Sequence, residues 1–278
     1  MKKQRPSAWA IILIGVALFA GPIFSANARP IAAASASEIG PIPESGIPPY
    51  ITAAVNSPER PAADRALDTS RKPAQMLTFF GIKPGTTVAD LAAGAGYTTE
   101  LLALVVGPDG KVYSQNYLPP KLKKLMDLWH QRLAQPALKN VVAIEKRADD
   151  PALFPVPPAS LDAVVINMDY HDFVNNKINV SEMNRYLYRM LKPGGVYGII
   201  DNSAQPGSGI RDVGTLHRID ERSVIKQVTA AGFRLKGSSS VLRNPSDDRT
   251  WFIMKHRGQQ DRFMLKFVKP TRERRNPS

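Results

Sequence analysis

VADLAAGAGYTTELL, residues 88–102, is an apolar strand that runs into a glycine-rich turn and straight on into a helix. Asp90 stands at the strand end. Gly94 and Gly96 lack Cβ atoms, so the backbone there turns tightly and admits a ligand close to the chain. The free amides that open the next helix then face that ligand. Such a turn suits a nucleoside. The dinucleotide fingerprint G-x-G-x-x-G/A needs a small residue three places after the second glycine, for helix packing. Thr99 occupies that place, which argues against a nicotinamide dinucleotide.

Around this turn, apolar strand patterns alternate with amphipathic helical ones. Strands are expected at residues 87–91, 111–115, 141–145, 161–167 and 196–201, and helices near 98–106, 118–133, 181–191 and 221–231. Residues 60–80 read as helix in two pieces, because Pro73 suits the first turn of a helix better than its interior. Two β-rich runs, 233–242 and 263–268, close the chain and are expected to pair antiparallel at one edge. Alternation of this kind builds right-handed βαβ units into a doubly wound, mostly parallel sheet covered on both faces. The run LDAVVIN, 161–167, is almost continuously apolar, as a central parallel strand should be.

The N-terminus has a different character. Lys2, Lys3 and Arg5 precede an apolar run at 8–24, and Ala26-Asn27-Ala28 offers small residues for cleavage. That is the pattern of a secretory signal peptide at 1–28. The alternative, a retained membrane anchor, is short for a core of about 30 Å and is interrupted by Gly21-Pro22. Residues 29–60, rich in Ala, Ser and Pro, read as a flexible, exposed lead-in. One domain is expected at 61–270, with a basic tail at 271–278.

The chain has 37 Lys and Arg against 24 Asp and Glu, a formal charge of +13. Removal of 1–28 leaves +10. A basic exported protein suits peripheral contact with anionic membrane surfaces or acidic glycans. The charge is scattered, dense only around Arg272, Arg274 and Arg275, so no nucleic-acid patch is expected, and no obligate protein partner. There are no cysteines, which excludes disulfides, thiolate metal sites and cysteine nucleophiles. His130, His171, His217 and His256 show no local spacing of the H-E-x-x-H kind, so no metal site is predicted.

The turn, with Asp90, Ala93, Gly94, Ala95 and Gly96, resembles motif I of class I S-adenosylmethionine (SAM)-dependent methyltransferases. LKPGGVYGIID, 191–201, resembles the entry to the fifth strand of that fold. A wider similarity, over 61–270, is to a family of predicted methyltransferases, many with signal peptides. It is carried by Asp64-Arg65, Arg71-Lys72-Pro73, Tyr170-His171-Asp172, Met183-Asn184, Leu216-His217-Arg218-Ile219, Ala231-Gly232-Phe233 and Asp261-Arg262-Phe263. The resemblance implies a seven-stranded Rossmann-like sheet and a SAM pocket.

In that fold ligands sit beyond the carboxyl ends of the strands at the topological switch point. Asp90, Ala93, Gly94, Gly96 and Tyr97 are therefore expected against SAM, with Asn167 beside them. The acid that would grip the ribose hydroxyls is replaced by Gln115 and Asn116, whose amides bond a diol without the strength of a carboxylate. Asp149 or Asp150 is expected at the adenine amino group or else free in a solvated loop.

The best catalytic candidates follow residue 167. His171 suits proton abstraction, because its pKa lies near neutrality. Asp172 or Asp169 would orient it, and Tyr170 would lie beside the sulfonium. The plainer alternative makes His171 a buried structural residue. His217 and Arg218 are expected to close over substrate, with Arg218 alternatively paired to Asp220 or Glu221. The leading reading is an exported methyltransferase acting on a small molecule or an envelope component. A non-catalytic binder of a nucleoside or other small ligand is the alternative.

Overall fold

The computed structural model describes residues 37–271. The signal-peptide pattern at 1–28 and the basic tail from 272 lie outside the described residues.

Two helices, α1 Pro49–Val55 and α2 Ala62–Arg71, precede α3 Pro73–Phe80. The break falls where the sequence placed it: Lys72 takes a left-handed conformation (φ 50°) and Pro73 opens α3. Then follow β2 Thr87–Leu91, α4 Tyr97–Val106, β3 Lys111–Gln115, α5 Lys123–Leu133, β4 Val141–Ile144, β5 Leu161–Asn167, α6 Tyr170–Asn175 and α7 Val180–Met190. The chain continues with β6 Leu191–Asn202, α8 Glu221–Ala230, β7 Arg234–Ser239 and β8 Arg262–Val268, while β1, Ser37–Ile39, comes first of all.

The strands form one sheet in the order β1-β7-β8-β6-β5-β2-β3-β4. Every neighbouring pair is parallel except those of β8, which runs antiparallel to β6 and β7. The chain winds outward from β2 through β3 to β4, then returns to β5 on the other side of β2. The carboxyl ends of β2 and β5 therefore diverge into two differently directed loops, and the crevice between them is the switch point.

Two expectations are corrected. The sheet has eight strands rather than seven, because β1 adds parallel to β7 with Ser37 opposite Gly237. Residues 37–60 are not a free lead-in. In α1 the residues Ile51 and Ala54 are buried and join the core formed by α3, α4 and one face of the sheet. An apolar pair three residues apart gives α1 one sticky face, which is enough for docking although the segment is too short for a clear helical period.

The sheet is covered on both faces. Phe80, Leu101, Leu102, Val88 and Val165 belong to one apolar cluster. Leu91, Val164, Leu187, Tyr197 and Phe267 belong to the other. Among the described residues no helix is long and apolar enough to cross a membrane.

Candidate functional site

The turn after β2 takes the shape its glycines allow. Gly94 and Gly96 lie at φ 58° and 85°, and Ala92 accepts the same left-handed region at φ 54°. A Cβ on Gly96 would stand 2.8 Å from Arg132 Cδ, whereas one on Gly94 would meet nothing within 4 Å. Gly96 thus serves packing, and Gly94 leaves open space over the turn.

Asp90 lies beneath this turn, not against the open space. It is fully buried and accepts from Thr99 Oγ1 at 2.5 Å. Thr99 Oγ1 also lies 2.7 Å from Ser114 Oγ, which accepts from Trp129 Nε1 at 2.9 Å. Burial pushes the Asp90 carboxyl up to about 7, against the lowering effect of its bonds to Thr99. Thr99, the residue that breaks the dinucleotide fingerprint, ties the strand end to the helix.

Gln115 and Asn116 hold the loop from the other side. Gln115 Oε1 accepts from Ala92 N at 3.0 Å, and its Nε2 donates to Lys146 O. Asn116 clamps Gly94 at both backbone groups, accepting from N at 3.0 Å and donating to O at 2.9 Å. Both side chains are buried. They shape the loop instead of facing a ribose, which corrects that expectation: an unpaired backbone amide beneath the turn would cost more than a solvated diol gains. Asp149 is likewise committed. It pairs with Arg147 at 2.9 Å and accepts from Asn179 N, and Arg147 holds its carboxyl below the usual range. Asp150 accepts from Ala152 N within the same loop.

Across the crevice, Asn167 ends β5 and donates to Thr98 Oγ1 at 3.0 Å, joining that strand end to the first turn of α4. Asp169 follows at the N-cap of α6, but its side chain caps nothing. Its half-buried carboxylate has no hydrogen-bond partner among the described residues. Burial raises its pKa well above the ordinary carboxylate value, His171 opposes that shift, and Asp172, Asp201 and Asp90 add to it.

Beside Tyr97 is a pair of cations. The Arg71 guanidinium sits 4.3 Å over the Tyr97 ring, within electrostatic reach of Asp169, and makes no hydrogen bond or ion pair among the described residues. Arg262 lies behind it, buried, donating to Ser70 O at 2.5 Å and to Met168 Sδ at 3.6 Å, with its Nε unpartnered. Burial, and then Arg71, lower the Arg262 pKa to about 10. Burial lowers that of Arg71 as well. Two desolvated guanidiniums side by side are complementary to an anion. Tyr97 itself is a packing residue whose hydroxyl donates to Asp68 at 2.6 Å.

On the acceptor side, His171 is buried with its Nδ1 2.7 Å from Asp201 Oδ1. Its backbone N donates to Asp201 Oδ2, also at 2.7 Å. Its Nε2 is 3.2 Å from His217 Nδ1, and Asp172 lies 3.6 Å from the first ring and 3.3 Å from the second. The nearby carboxylates, Asp201 foremost, outweigh burial and raise the His171 pKa to about 9. His171 is buried and its Nε2 is turned toward His217 and Asp172, so the expected direct proton abstraction from an acceptor does not fit it. His217 and Asp172, each about a third exposed, are the groups that face outward.

Two further expectations are overturned. Tyr170 is fully buried and its hydroxyl accepts from Asn184 Nδ2 at 2.9 Å, so it packs into the core, away from any sulfonium. Arg218 is buried in a two-pronged pair with Asp247 at 2.8 and 3.2 Å, stacked 4.5 Å over Trp251. Its partner is neither Asp220, which caps α8, nor Glu221, which pairs with Arg243. Ala92, Arg71 and Asp169 are the site residues without an assigned cofactor role in the sequence. Arg71 belongs to the Arg71-Lys72-Pro73 segment and Asp169 is expected only to orient His171, yet only the fold shows that their side chains are unpaired.

The model of protein-L-isoaspartate(D-aspartate) O-methyltransferases matches residues 52–149. An arsenite methyltransferase of Halobacterium salinarum is 32% identical over 123 residues, 44% of this chain and 29% of its own length. A demethylmenaquinone methyltransferase of Listeria monocytogenes is 29% identical over 129 residues, 46% of this chain and 50% of its own. The chain thus spans half or less of these curated relatives. Among solved structures, a SAM-dependent methyltransferase from Aquifex aeolicus has a TM-score of 0.55 at 21% identity, covering 74% of this chain and 94% of that one. The [4+2]-cyclase SpnF has a TM-score of 0.54 at 17% identity, covering 76% and 82%. The fold is the Rossmann-like fold of class I methyltransferases. SpnF shows that the fold alone does not name the reaction.

Proposed function

We propose that the protein is a SAM-dependent methyltransferase acting on a small-molecule acceptor. The observation that carries the reading is the crevice between β2 and β5: open space over Gly94, with unpartnered Arg71, backed by Arg262, on one side and unpartnered Asp169 on the other. SAM ends in an amino acid with a carboxylate and an ammonium, and it carries a sulfonium. Arg71 suits the carboxylate and Asp169 the cationic groups, while the turn at Gly94 lets the backbone approach. When bound, SAM supplies an electrophilic methyl group.

The ribose end fits less well. Gln115 and Asn116 are committed to the loop, and the residue after them, Tyr117, is exposed. This favours modest affinity, and it is the one observation that supports the second reading, a non-catalytic binder. As for the acceptor, the names of the relatives point in different directions. A chain without cysteine has no thiolate for a soft metalloid, so an oxygen or carbon nucleophile on an organic molecule is the better match. It would sit between Asp169 and the outward-facing Asp172 and His217.

Calorimetric titration with SAM and S-adenosylhomocysteine tests this. Saturable binding that weakens about ten- to a hundredfold in Arg71→Ala, the scale of a hydrogen bond to a charged group, is expected. No saturation of the wild-type protein at millimolar ligand would overturn it.

Export belongs to the same proposal, with the protein working in the periplasm or outside the cell, near envelope molecules. Its support is the charged, apolar and small-residue sequence of 1–28. The intact mass of the protein recovered from the periplasm or medium is expected to correspond to a chain beginning at Arg29. Recovery of the full-length chain from cytosol alone would contradict it.

A further inference from the structure

We propose that His171, His217 and Asp172 bind one divalent first-row transition ion, of the zinc class, at the mouth of the crevice. The three donor groups come from two distant parts of the chain. His171 and Asp172 lie on α6 beyond β5, and His217 lies in the loop between β6 and α8. Their ligand atoms all fall within 4.8 Å of one another. The individual separations are 3.2 Å between His171 Nε2 and His217 Nδ1, 3.3 Å from His217 Nδ1 to Asp172, and 3.6 Å from His171 Nε2 to Asp172. Metal bonds of about 2.0–2.2 Å set neighbouring ligand atoms about 3–3.6 Å apart. The triangle has the size of one face of a coordination sphere.

A hydrogen bond between His171 Nε2 and His217 Nδ1 accounts for one side of this triangle and for neither of the other two. The Asp172 carboxylate lies beside two imidazole nitrogens yet makes no hydrogen bond to either among the described residues. Three features point instead to a ligand set.

The Asp201 carboxylate grips His171 Nδ1 and is itself held by the amides of His171 and Asn202, each at 2.7 Å. That is the outer-shell arrangement which fixes a ligating imidazole and turns its other nitrogen toward the metal. His217 has a left-handed backbone, φ 53°, a costly conformation for a residue other than glycine. It is kept there because Asn202 Nδ2 donates to its carbonyl at 3.3 Å and the next residue, Arg218, is anchored to Asp247, Ser203 O and Trp251 O. Finally, Asp172 and His217 are each about a third exposed, so the remaining coordination positions open outward, as in sites that take a substrate atom.

Two imidazoles and one carboxylate select borderline first-row ions over magnesium or calcium. An acceptor's oxygen at an open position would lie on the side of the crevice facing Asp169. Ion binding itself does not depend on methyl transfer.

The test is equilibrium titration of the purified full-length protein, stripped with chelator, against Zn2+ alone, with Co2+ absorption as a second readout. The expected result is one ion per chain, with affinity at least tenfold weaker in His217→Ala and in Asp172→Asn, and unchanged in Arg71→Ala and in His130→Ala, which removes the exposed His130–Glu145 pair. Asp172→Asn keeps the shape of the side chain, and thermal melts verify that each variant folds. Absence of saturable binding, or binding that survives in the His217→Ala, Asp172→Asn double variant, would overturn the proposal.

Discussion

Asp90 sits one residue from the open turn and still faces away from it, because the Thr99 hydroxyl and burial under α4 hold it in the interior. This has a measurable effect on stability. The folded carboxyl titrates at about 7, whereas in the unfolded chain it titrates near 3.8. Below the lower value both states carry the proton. As pH rises toward 7 the unfolded chain loses its proton more readily than the folded one, so the stability contributed by Asp90 is full in acid and is lost by neutrality. Thermal melts between pH 4 and pH 7 should show this loss in the wild type and a flatter profile in Asp90→Asn; identical slopes would rule out Asp90 as its source. Residue identity told which groups were present at the site but not which were already engaged. Gln115 and Asn116 sit at the end of β3 where a ribose ligand belongs, yet loop amides 22 or 23 positions earlier in the chain claim them. The same limit hid the contact of His217, itself expected near the substrate, with His171, 46 residues away in the chain.

At the scale of elements, periodicity and punctuation were reliable where a segment was long enough to show either. Pro73 divided α2 from α3, and the apolar run 161–167 became β5 at the centre of the sheet, paired with β2 and β6. The Pro193-Gly194-Gly195 segment was absorbed into β6 as an irregularity in its pairing with β5, so the strand begins at Leu191 and not near 196. What stayed illegible was short. The three residues of β1 and the seven of α1 gain their structure from docking onto β7 and onto α3 and α4, and short segments have too little local preference of their own.

The whole molecule was the most legible level, because alternating elements with a return at β5 leave few topologies open. The sheet order then decides what meets at the crevice. It brings Arg71 at the end of α2, Arg262 at the start of β8 and Asp169 after β5 around the turn after β2, from four separate stretches of the chain. The scattered charge of +13 says nothing of this concentration. In the proposed function these groups form a cradle for the amino-acid end of SAM. The most direct measurement is a crystal structure of the protein with S-adenosylhomocysteine. The expected result is the ligand's carboxylate on Arg71 and its chain passing over Gly94 toward Asp169. A ligand bound elsewhere, or one whose carboxylate leaves Arg71 unpartnered, would contradict it.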